Sequence, residues 1–195
     1  MEANGEYRES NDIDFLVSSL NDYRTIRALV ATDGLSTLFD RQVRIVRTAR
    51  TDRYGIRGAV AVDGTPVKFE IIHEGRIALD EPGPNDSVID TATLTPLDAV
   101  ATKVLANDDR WADRSVASRD VIDLAMISPD GTMLARGIAK AEVAYGSTIR
   151  RALHSAVDLL TGNSDYRRHC REILRMTVSD DELVRRLGTL MASLD

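Results

Sequence analysis

The feature that most constrains the fold is a change in hydrophobic periodicity near residue 95. Before it, short β-rich runs are separated by turn residues, and Asp63-Gly64 between two such runs predicts a hairpin. After Pro96, apolar residues recur at three- and four-residue spacing, which indicates helices. Strands followed by helices predict an α+β fold with a helical second half. We therefore expect two domains, at 1–95 and 96–195.

Individual elements follow from the same patterns. The first half predicts a strand at "DIDFLVSS", a helix at "NDYRTIRALVATDG" that is capped near Asn21 or Asp22 and followed by Gly34, and one short strand within "SVIDTATL". Several helices in the second half are opened by Ser or Asp caps, including Ser118 before "RDVIDLAMI". The helical segments are "PLDAVATKVLANDDRW", "SRDVIDLAMI", "MLARGIAKAEVAYG", "STIRRALHSAVDLL", "SDYRRHCREILRM" and "SDDELVRRLGTLMASL".

The charge distribution leaves two interpretations open. A net charge of −6 and a pI near 5.1 argue against general, sequence-blind binding to nucleic acid. Arginines nevertheless cluster in two places, which are solvated faces and helix ion pairs in one interpretation and a phosphate-facing surface in the other. The clusters are Arg41, Arg44, Arg47, Arg50 and Arg53 in "RQVRIVRTARTDR", and Arg150, Arg151, Arg167, Arg168 and Arg171 in the tail.

Other features predict the compartment and exclude several chemistries. No apolar run approaches the length of a membrane span, and the acidic, polar first residues do not resemble a signal peptide. With Cys170 as the single cysteine, we expect a cytoplasmic protein that does not insert into a membrane. The sequence has no nucleophile elbow, P-loop or dinucleotide fingerprint. The histidines, His73, His154 and His169, have no ligand spacing with the cysteine.

Two aspartates lie one residue apart in the first strand. Side chains two apart share one face of a strand, so Asp12 and Asp14 lie together while Ile13 and Phe15 face the core. Carboxylates about 7 Å apart along a strand repel each other unless a cation lies between them. Magnesium prefers a few carboxylates together with waters and substrate phosphates. The pair therefore predicts a magnesium site.

A third acid lies in the middle of another predicted strand. In "VKFEII", Glu70 is flanked by apolar residues, and Lys68 shares its face. If this strand lies beside the first, Glu70 completes a set of three carboxylates that could hold one or two metal ions. Such a set could activate a hydroxyl for phosphoryl or nucleotidyl transfer. Lys68 could contact a phosphate.

Three motifs together resemble a known family. The "R-x-S-x-D-I-D-F" segment, the "VKFEII" strand and the later helical stretch are similar, in this order, to motifs of the AbiEii/AbiGii-type nucleotidyltransferases. These are toxin-like members of the polymerase-β-type superfamily, and the resemblance spans roughly residues 5 to 127. It implies a nucleotidyltransferase-like mixed β-sheet followed by a helical bundle. The matching residues are Arg8, Ser10, Asp12, Asp14 and Glu70, and then Asp98, Lys103, Arg110, Arg119, Asp120, Asp123 and Leu124.

The resemblance also implies roles for these residues. Asp12, Asp14 and Glu70 would be catalytic and would bind Mg²⁺, and the phosphates of an NTP would be bound by others. This second set is Arg8, Ser10, Lys103, Arg110 and Asp120, and Lys68 joins it because the strand pattern places it on the face of Glu70. Two helical turns separate Lys103 from Arg110, so both can reach one face of a helix. Arg119 and Asp123 are spaced to pair, or the helical motif is a salt-bridge network that holds the helices together.

The implied partners are equally specific. Transfer would go from the NTP to an RNA, such as a tRNA end, or to a protein hydroxyl, and a cognate antitoxin would complete a toxin–antitoxin or phage-defence pair. The family also carries a Gly-Gly or Gly-Ser element ahead of the aspartates, and no such dipeptide occurs in residues 1–11. The first domain would then be incomplete at its N-terminus, because the start has been placed too late, the gene is truncated, or the chain is a degenerate member. The departure also favours an alternative, a catalytically inactive remnant that binds a nucleotide or a protein. It also favours a homodimer that covers the apolar surface left by a missing helix.

Overall fold

The protein has the α+β architecture that its sequence predicts. The structure is a computed structural model, and it describes residues 6–10, 12–88 and 91–194. Packing divides the chain into two compact units. The sheet unit is Ser10–Ala78, and the helical unit combines Met1–Glu9 with Leu79–Asp195, apart from the residues outside the description. The domain division at residue 95 stays a prediction about independently folding parts, which packing within one chain does not test.

A four-stranded mixed sheet forms the sheet unit, in the order β1-β4-β3-β2. The first and fourth strands are parallel, and the other neighbours are antiparallel. Its elements are β1 (Asp12–Val17), α1 (Leu20–Asp33), a 3-10 helix (Leu35–Leu38), β2 (Arg44–Thr51), β3 (Gly55–Val62) and β4 (Thr65–His73). The sheet therefore places the strand of the aspartate pair directly beside the strand that carries Glu70.

One face of this sheet packs against α1. Tyr23 and Val30 of the helix are buried against Ile56, Phe69 and Ile71 of the sheet. The helix is capped by Ser19, whose side chain accepts a hydrogen bond from the amide of Asp22. The expected cap at Asn21 or Asp22 is therefore wrong by two or three residues, because Ser19 already satisfies a free amide of the first turn.

The hairpin between β3 and β4 forms where it was predicted. Asp63 and Gly64 adopt φ values of 48° and 82°. Positive φ at both central residues gives a turn whose twist matches that of the two strands, and glycine adopts this conformation at little cost. The turn fixes the register in which Lys68 lies opposite Ala59 and Glu70 lies opposite Arg57.

Helices make up most of the helical unit. In place of the single strand expected in "SVIDTATL", the structure has two antiparallel strands of two residues each. They lie on either side of residues 89 and 90, which are not among the residues that the structure describes. In order, the elements are β5 (Ser87–Val88), β6 (Thr91–Ala92), α2 (Pro96–Arg110), a 3-10 helix (Arg114–Val116), α3 (Arg119–Ile127), α4 (Gly131–Tyr145), α5 (Thr148–Gly162), α6 (Ser164–Ile173) and α7 (Asp180–Ala192).

Apolar side chains from several of these helices form the core of the unit, among them Leu105, Leu124, Leu153 and Leu187. Ser118 stands at the start of α3 as predicted, but it makes no side-chain cap; its hydroxyl bonds that of Tyr166. In the part of the chain that the structure describes, no helix has both the length and the apolarity needed to cross a bilayer.

Candidate functional site

The predicted acids of the sheet unit lie on neighbouring strands in matching register. Asp14 of β1 is the direct partner of Glu70 in β4, and Asp12 is the partner of Lys68. Directly paired residues lie on the same face of a sheet. This face is opposite the one that packs against α1, because the intervening Phe69 belongs to the core. The backbone therefore brings Asp12, Asp14 and Glu70 to one surface.

Hydrogen bonds and charge pairs already organise these side chains. Lys68 Nζ lies 2.8 Å from Glu70 Oε1, and Ser10 Oγ donates to Asp12 Oδ1 at 2.5 Å. The lysine ammonium thus places a positive charge beside Glu70, where a cation is electrostatically favourable. Among the described residues, no three Asp, Glu, His or Cys side chains are gathered into a metal-binding group. The convergence of the three carboxylates on one ion stays a prediction.

A second cluster forms inside the helical unit around Asp123. Both carboxylate oxygens are bonded to Arg8, at 2.7 Å from Nε and 3.0 Å from Nη2. The same carboxylate accepts from the Tyr7 hydroxyl at 2.8 Å and from Lys103 Nζ at 2.5 Å. Its side chain is only 2% exposed, so these three donors supply the hydrogen bonds that water would otherwise provide. Asp123 therefore fixes the predicted phosphate ligands Arg8 and Lys103.

The ionisation of this cluster follows from burial and charge. Burial opposes ionisation of Asp123, but bonds and charges from Arg8 and Lys103 outweigh it, so the pKa of Asp123 lies below its ordinary value. The hydrogen bond to Asp123 raises the pKa of Arg8 despite burial. Burial, followed by the charge of Asp123, raises the pKa of the Tyr7 hydroxyl. Tyr7 is therefore a protonated donor at neutral pH.

Asp120 holds the other predicted cation of the helical motif. Arg110 bonds this carboxylate through Nε at 2.6 Å and through Nη2 at 2.9 Å. These two bonds have the fork-to-fork geometry that fixes an arginine most firmly. Lys103 Nζ lies 4.0 Å from Asp120 Oδ1, the oxygen that also accepts from Arg110 Nη2. The arrangement has the form of the salt-bridge network that the sequence also allowed, and it orients both Lys103 and Arg110.

Two residues of this unit have a structural role that the sequence did not predict. Lys140 on α4 forms an ion pair with the fully buried Asp98 and lies 3.1 Å from Asp80. Asp98 also accepts from the Asp80 amide at 2.7 Å and from the Thr95 hydroxyl at 3.1 Å. The pair fixes the start of α2. Asp98 matched the family motif, but Lys140 had no sequence signal that distinguished it from an exposed helical lysine.

Several arginines of the tail form helix ion pairs and structural bonds. Arg167 bonds both oxygens of Asp180, at 2.8 and 2.7 Å, and donates to the Leu160 carbonyl at 2.7 Å. Arg168 pairs with Asp165, and Arg150 pairs with Glu142. These contacts favour the first interpretation of the tail cluster. They do not decide between the two interpretations for the arginine cluster at residues 41–53.

The histidines and the cysteine have ordinary surroundings. His73 stacks on the ring of Tyr23 with centroids 5.5 Å apart, and His154 and His169 lie on helices. Cys170 is buried, and burial raises its pKa. A buried thiol with a raised pKa is a poor nucleophile at neutral pH. The candidate chemistry of this chain therefore rests on its carboxylates.

Comparison with known proteins identifies the family. The model of the family described as "Nucleotidyl transferase AbiEii toxin, Type IV TA system" matches residues 3–191. The chain belongs to this AbiEii family. The match confirms the resemblance and extends it from residue 127 through most of the final helix. Searches among curated proteins and among solved structures each found no match.

Family membership bears on the role, the substrate, the partner and the cofactor of the chain. The chain is a member of a nucleotidyltransferase toxin family of type IV toxin–antitoxin systems. A role as such a toxin is therefore supported, together with an NTP substrate and a cognate antitoxin. Nucleotidyltransferases generally use a divalent metal, and the carboxylate oxygens of Asp12, Asp14 and Glu70 are the hard ligands that Mg²⁺ prefers.

Proposed function

We propose that this AbiEii-family chain transfers a nucleotide from an NTP to a hydroxyl of an RNA or a protein, with Mg²⁺ as cofactor, in the cytoplasm. The observation that carries the proposal is the register in which Asp14 lies directly beside Glu70, with Asp12 on the same face. Two neighbouring carboxylates and a third within two residues are the donor set that this reaction requires.

The reaction follows from these groups. Asp12, Asp14 and Glu70 would hold Mg²⁺, which neutralises phosphate charge and lowers the pKa of a coordinated hydroxyl. The acceptor oxygen forms a bond to the α-phosphorus, and the bond from that phosphorus to the departing pyrophosphate breaks. Glu70 accepts the proton of the acceptor hydroxyl. Lys68 Nζ, 2.8 Å from Glu70, offers a positive charge to the phosphate oxygens.

Residues of the family motifs would support binding of the NTP. Ser10 orients Asp12 through its hydroxyl. Lys103 and Arg110 are the proposed contacts to triphosphate oxygens, with Arg8 and Asp120 as further members of the set. Because carboxylates already fix Lys103, Arg110 and Arg8 at short distances, these cations would lose little conformational entropy when phosphate binds. Asp123 would act through Arg8 and Lys103 as a positioning residue.

The proposal is tested by transfer of label from each NTP to total RNA and to total protein. Asp14→Asn should reduce labelling about 100-fold or more, because it removes a charge from the transition-state environment while keeping the side-chain size. Asp33→Asn is the matched control, since Asp33 is an exposed aspartate at the end of α1. It should leave labelling unchanged. Equal labelling by the wild type and Asp14→Asn with every NTP would contradict the proposal.

A second candidate function is a nucleotide- or protein-binding module without catalysis. The Lys68–Glu70 ion pair favours it, because Glu70 is already neutralised without a metal. Calorimetric titration with each NTP, with and without magnesium, separates the two. Binding that is independent of magnesium and of Asp14, combined with absent labelling, is the outcome expected of the module. The transfer reaction requires both dependences.

A further inference from the structure

We propose that Arg44, Arg47 and Arg50 form a binding row for a single-stranded segment of RNA on the carboxylate face of the sheet. The inference rests on the proposed function, since it assigns RNA as the class of acceptor. It concerns β2, which carries none of the proposed catalytic residues. The observation behind it is that three arginines spaced three apart occupy one face of a strand, which regular alternation would not allow.

Two irregularities in β2 bring the arginines together. Side chains of a regular strand alternate, so Arg44 and Arg47 would lie on opposite faces. The pairing with β3 shifts once between Ile45 and Arg47 and again between Arg47 and Arg50. Each shift places one extra residue in β2, as in a β-bulge, and restores the next arginine to the same face. Bulges of this kind commonly redirect side chains beside functional sites.

The register continues from this row to the carboxylates. Arg50 lies opposite Arg57, which lies opposite Glu70, which in turn lies beside Asp14. Residues that are paired in register share a face at each step. Three strand spacings separate the arginine strand from the aspartate strand, roughly 14 Å in total. An RNA bound along β2 could therefore extend one end across the same face to the acids.

A second line of register agrees with the first. Arg47 lies opposite Ala59, which lies opposite Lys68, the partner of Asp12. The small side chain of Ala59 leaves the middle of this line open. The face consequently has a basic edge at β2, a mixed centre, and an acidic edge at β1. A polyanion would be attracted at the basic edge and repelled at the acidic edge unless a cation is bound there.

The charges of the row are available for an outside partner. Arg44, Arg47 and Arg50 are exposed, and no carboxylate in the described part of the chain forms an ion pair with any of them. Arg47 donates to the Gly58 carbonyl at 3.3 Å, which orients the side chain without neutralising it. In a protein of net charge −6, three unneutralised cations in a line are a local reversal of charge. They suit a partner with regularly spaced negative charges.

The turn that follows the row favours RNA over an acidic protein. Tyr54 lies between β2 and β3, the residue is 54% exposed, and the Arg53 guanidinium lies 4.5 Å from its ring centroid. An exposed aromatic ring with a stacked guanidinium is a platform for an unpaired base. An acidic peptide would use the arginines but has no need of this ring. The ring therefore selects a single-stranded nucleic acid.

The test is direct binding of a short, fluorescein-labelled, mixed-sequence single-stranded RNA, measured by anisotropy without NTP or divalent ions. The plot of log affinity against log salt has a negative slope. R44Q/R47Q/R50Q should make this slope shallower by about 2, because three phosphate contacts are lost. Between about 50 and 200 mM salt, the wild type should therefore lose about 20-fold more affinity than the variant does. An unchanged affinity and slope would overturn the proposal.

The matched control removes the same charge elsewhere. R24Q/R136Q/R151Q replaces three exposed helical arginines, so net charge changes equally while β2 is intact. Its salt slope should equal that of the wild type, and an equal fall in both variants would overturn the assignment to β2. Circular dichroism melting of each variant shows that a loss of binding is not a loss of fold.

Two further arms identify the ligand class. Tyr54→Ala should weaken RNA binding by about 5-fold or more, while Tyr54→Phe retains it, because stacking needs the ring and not the hydroxyl. The assignment to RNA would be overturned if DNA of the same sequence, or polyglutamate, bound as tightly as the RNA. Since no NTP is present, a failed binding test leaves Asp14-dependent labelling untouched. Absent labelling likewise leaves the measured affinities unchanged, so the two failures are distinguishable.

Discussion

At the scale of single residues, Asp123 is a buried carboxylate that bonds three other side chains. Its carboxylate accepts from the adjacent residues Tyr7 and Arg8 and from Lys103 of α2. Such an ion cluster contributes little net stability compared with an apolar core, but removal of one member leaves charges without partners. Its value to the protein is the fixed position of two cations. The same residue would consequently link stability to the proposed binding of phosphate by Arg8 and Lys103.

We predict that Asp123→Asn lowers the free energy of unfolding by about 3 kcal/mol, since Arg8 and Lys103 lose their buried counter-charge. Urea denaturation measures the change. Asp165→Asn is the control, because Asp165 forms an exposed pair with Arg168 and should cost less than about 1 kcal/mol. Equal effects of the two substitutions would show that the cluster contributes no more than a surface ion pair.

The effect should also depend on pH. The folded pKa of Asp123 lies below its ordinary value of 3.8, so ionised Asp123 stabilises the folded state at neutral pH. This contribution is fully present above the unfolded pKa and is lost as the pH falls through the folded value. The difference in unfolding free energy between wild type and Asp123→Asn should therefore be constant near pH 7 and shrink below about pH 4. A difference that grows on acidification would contradict this assignment.

At the scale of secondary-structure elements, glycines differ by what surrounds them. A Cβ on Gly58 of β3 would lie 2.7 Å from Leu35 Cδ2 and 3.2 Å from the Arg47 carbonyl oxygen. This close approach packs the 3-10 helix against the sheet beside the bulged strand. Gly188 of α7, in contrast, is exposed and has no heavy atom within 4 Å of an added Cβ. The first glycine permits packing, whereas the second only weakens a helix.

We predict that Gly58→Ala destabilises the protein by about 1–3 kcal/mol, because the added methyl group must displace neighbouring atoms. Gly188→Ala should stabilise it by up to about 1 kcal/mol, since alanine is the better helix former. Thermal unfolding should therefore move in opposite directions, by about 2–4 °C for each kcal/mol. Shifts of the same sign would contradict the packing described around Gly58.

The sequence could predict those elements that follow a regular local pattern. The hairpin at Asp63-Gly64 and the helices after Pro96 followed from local turn chemistry and periodicity, and the structure has both. The arginine row could not be predicted from the sequence. Regular alternation places Arg44 and Arg47 on opposite faces, and the composition of β2 does not indicate its bulges. Tyr7 and Lys140 were missed for another reason: each has a partner distant in sequence, so only tertiary structure reveals its role.

At the scale of the whole molecule, the edge strand β1 is incompletely covered. Ile13 and Phe15 share the apolar face of this strand, and their side chains are 40% and 36% exposed. An edge strand with exposed apolar residues is a common site of pairing with another chain. The sequence led to the expectation of a homodimer for a related reason, the apolar surface next to the aspartate strand. That expectation stays a prediction.

Light scattering tests the expected homodimer. We predict a mass of about 43 kDa, twice the 21.5 kDa of one chain. Ile13→Lys should reduce the mass to that of one chain, because a charge on the paired surface would be buried without a partner. Val143→Lys is the matched control, since Val143 is 82% exposed on α4. A wild-type mass near that of one chain would dispose of the dimer.

The path of the chain through its two units affects any attempt to dissect the protein. Residues 6–9 pack with the helical unit, the chain then builds the whole sheet unit from Ser10 to Ala78, and it returns to the helices at Leu79. The sheet unit is thus inserted into the helical unit, and two connections join them, at residues 9–10 and 78–79. A single protease cut at one connection leaves the two units covalently joined through the other. A fragment that starts at Leu79 would lack both Tyr7 and Arg8. An isolated helical piece would therefore have to include residues 6–9 as well as the chain from Leu79 onward.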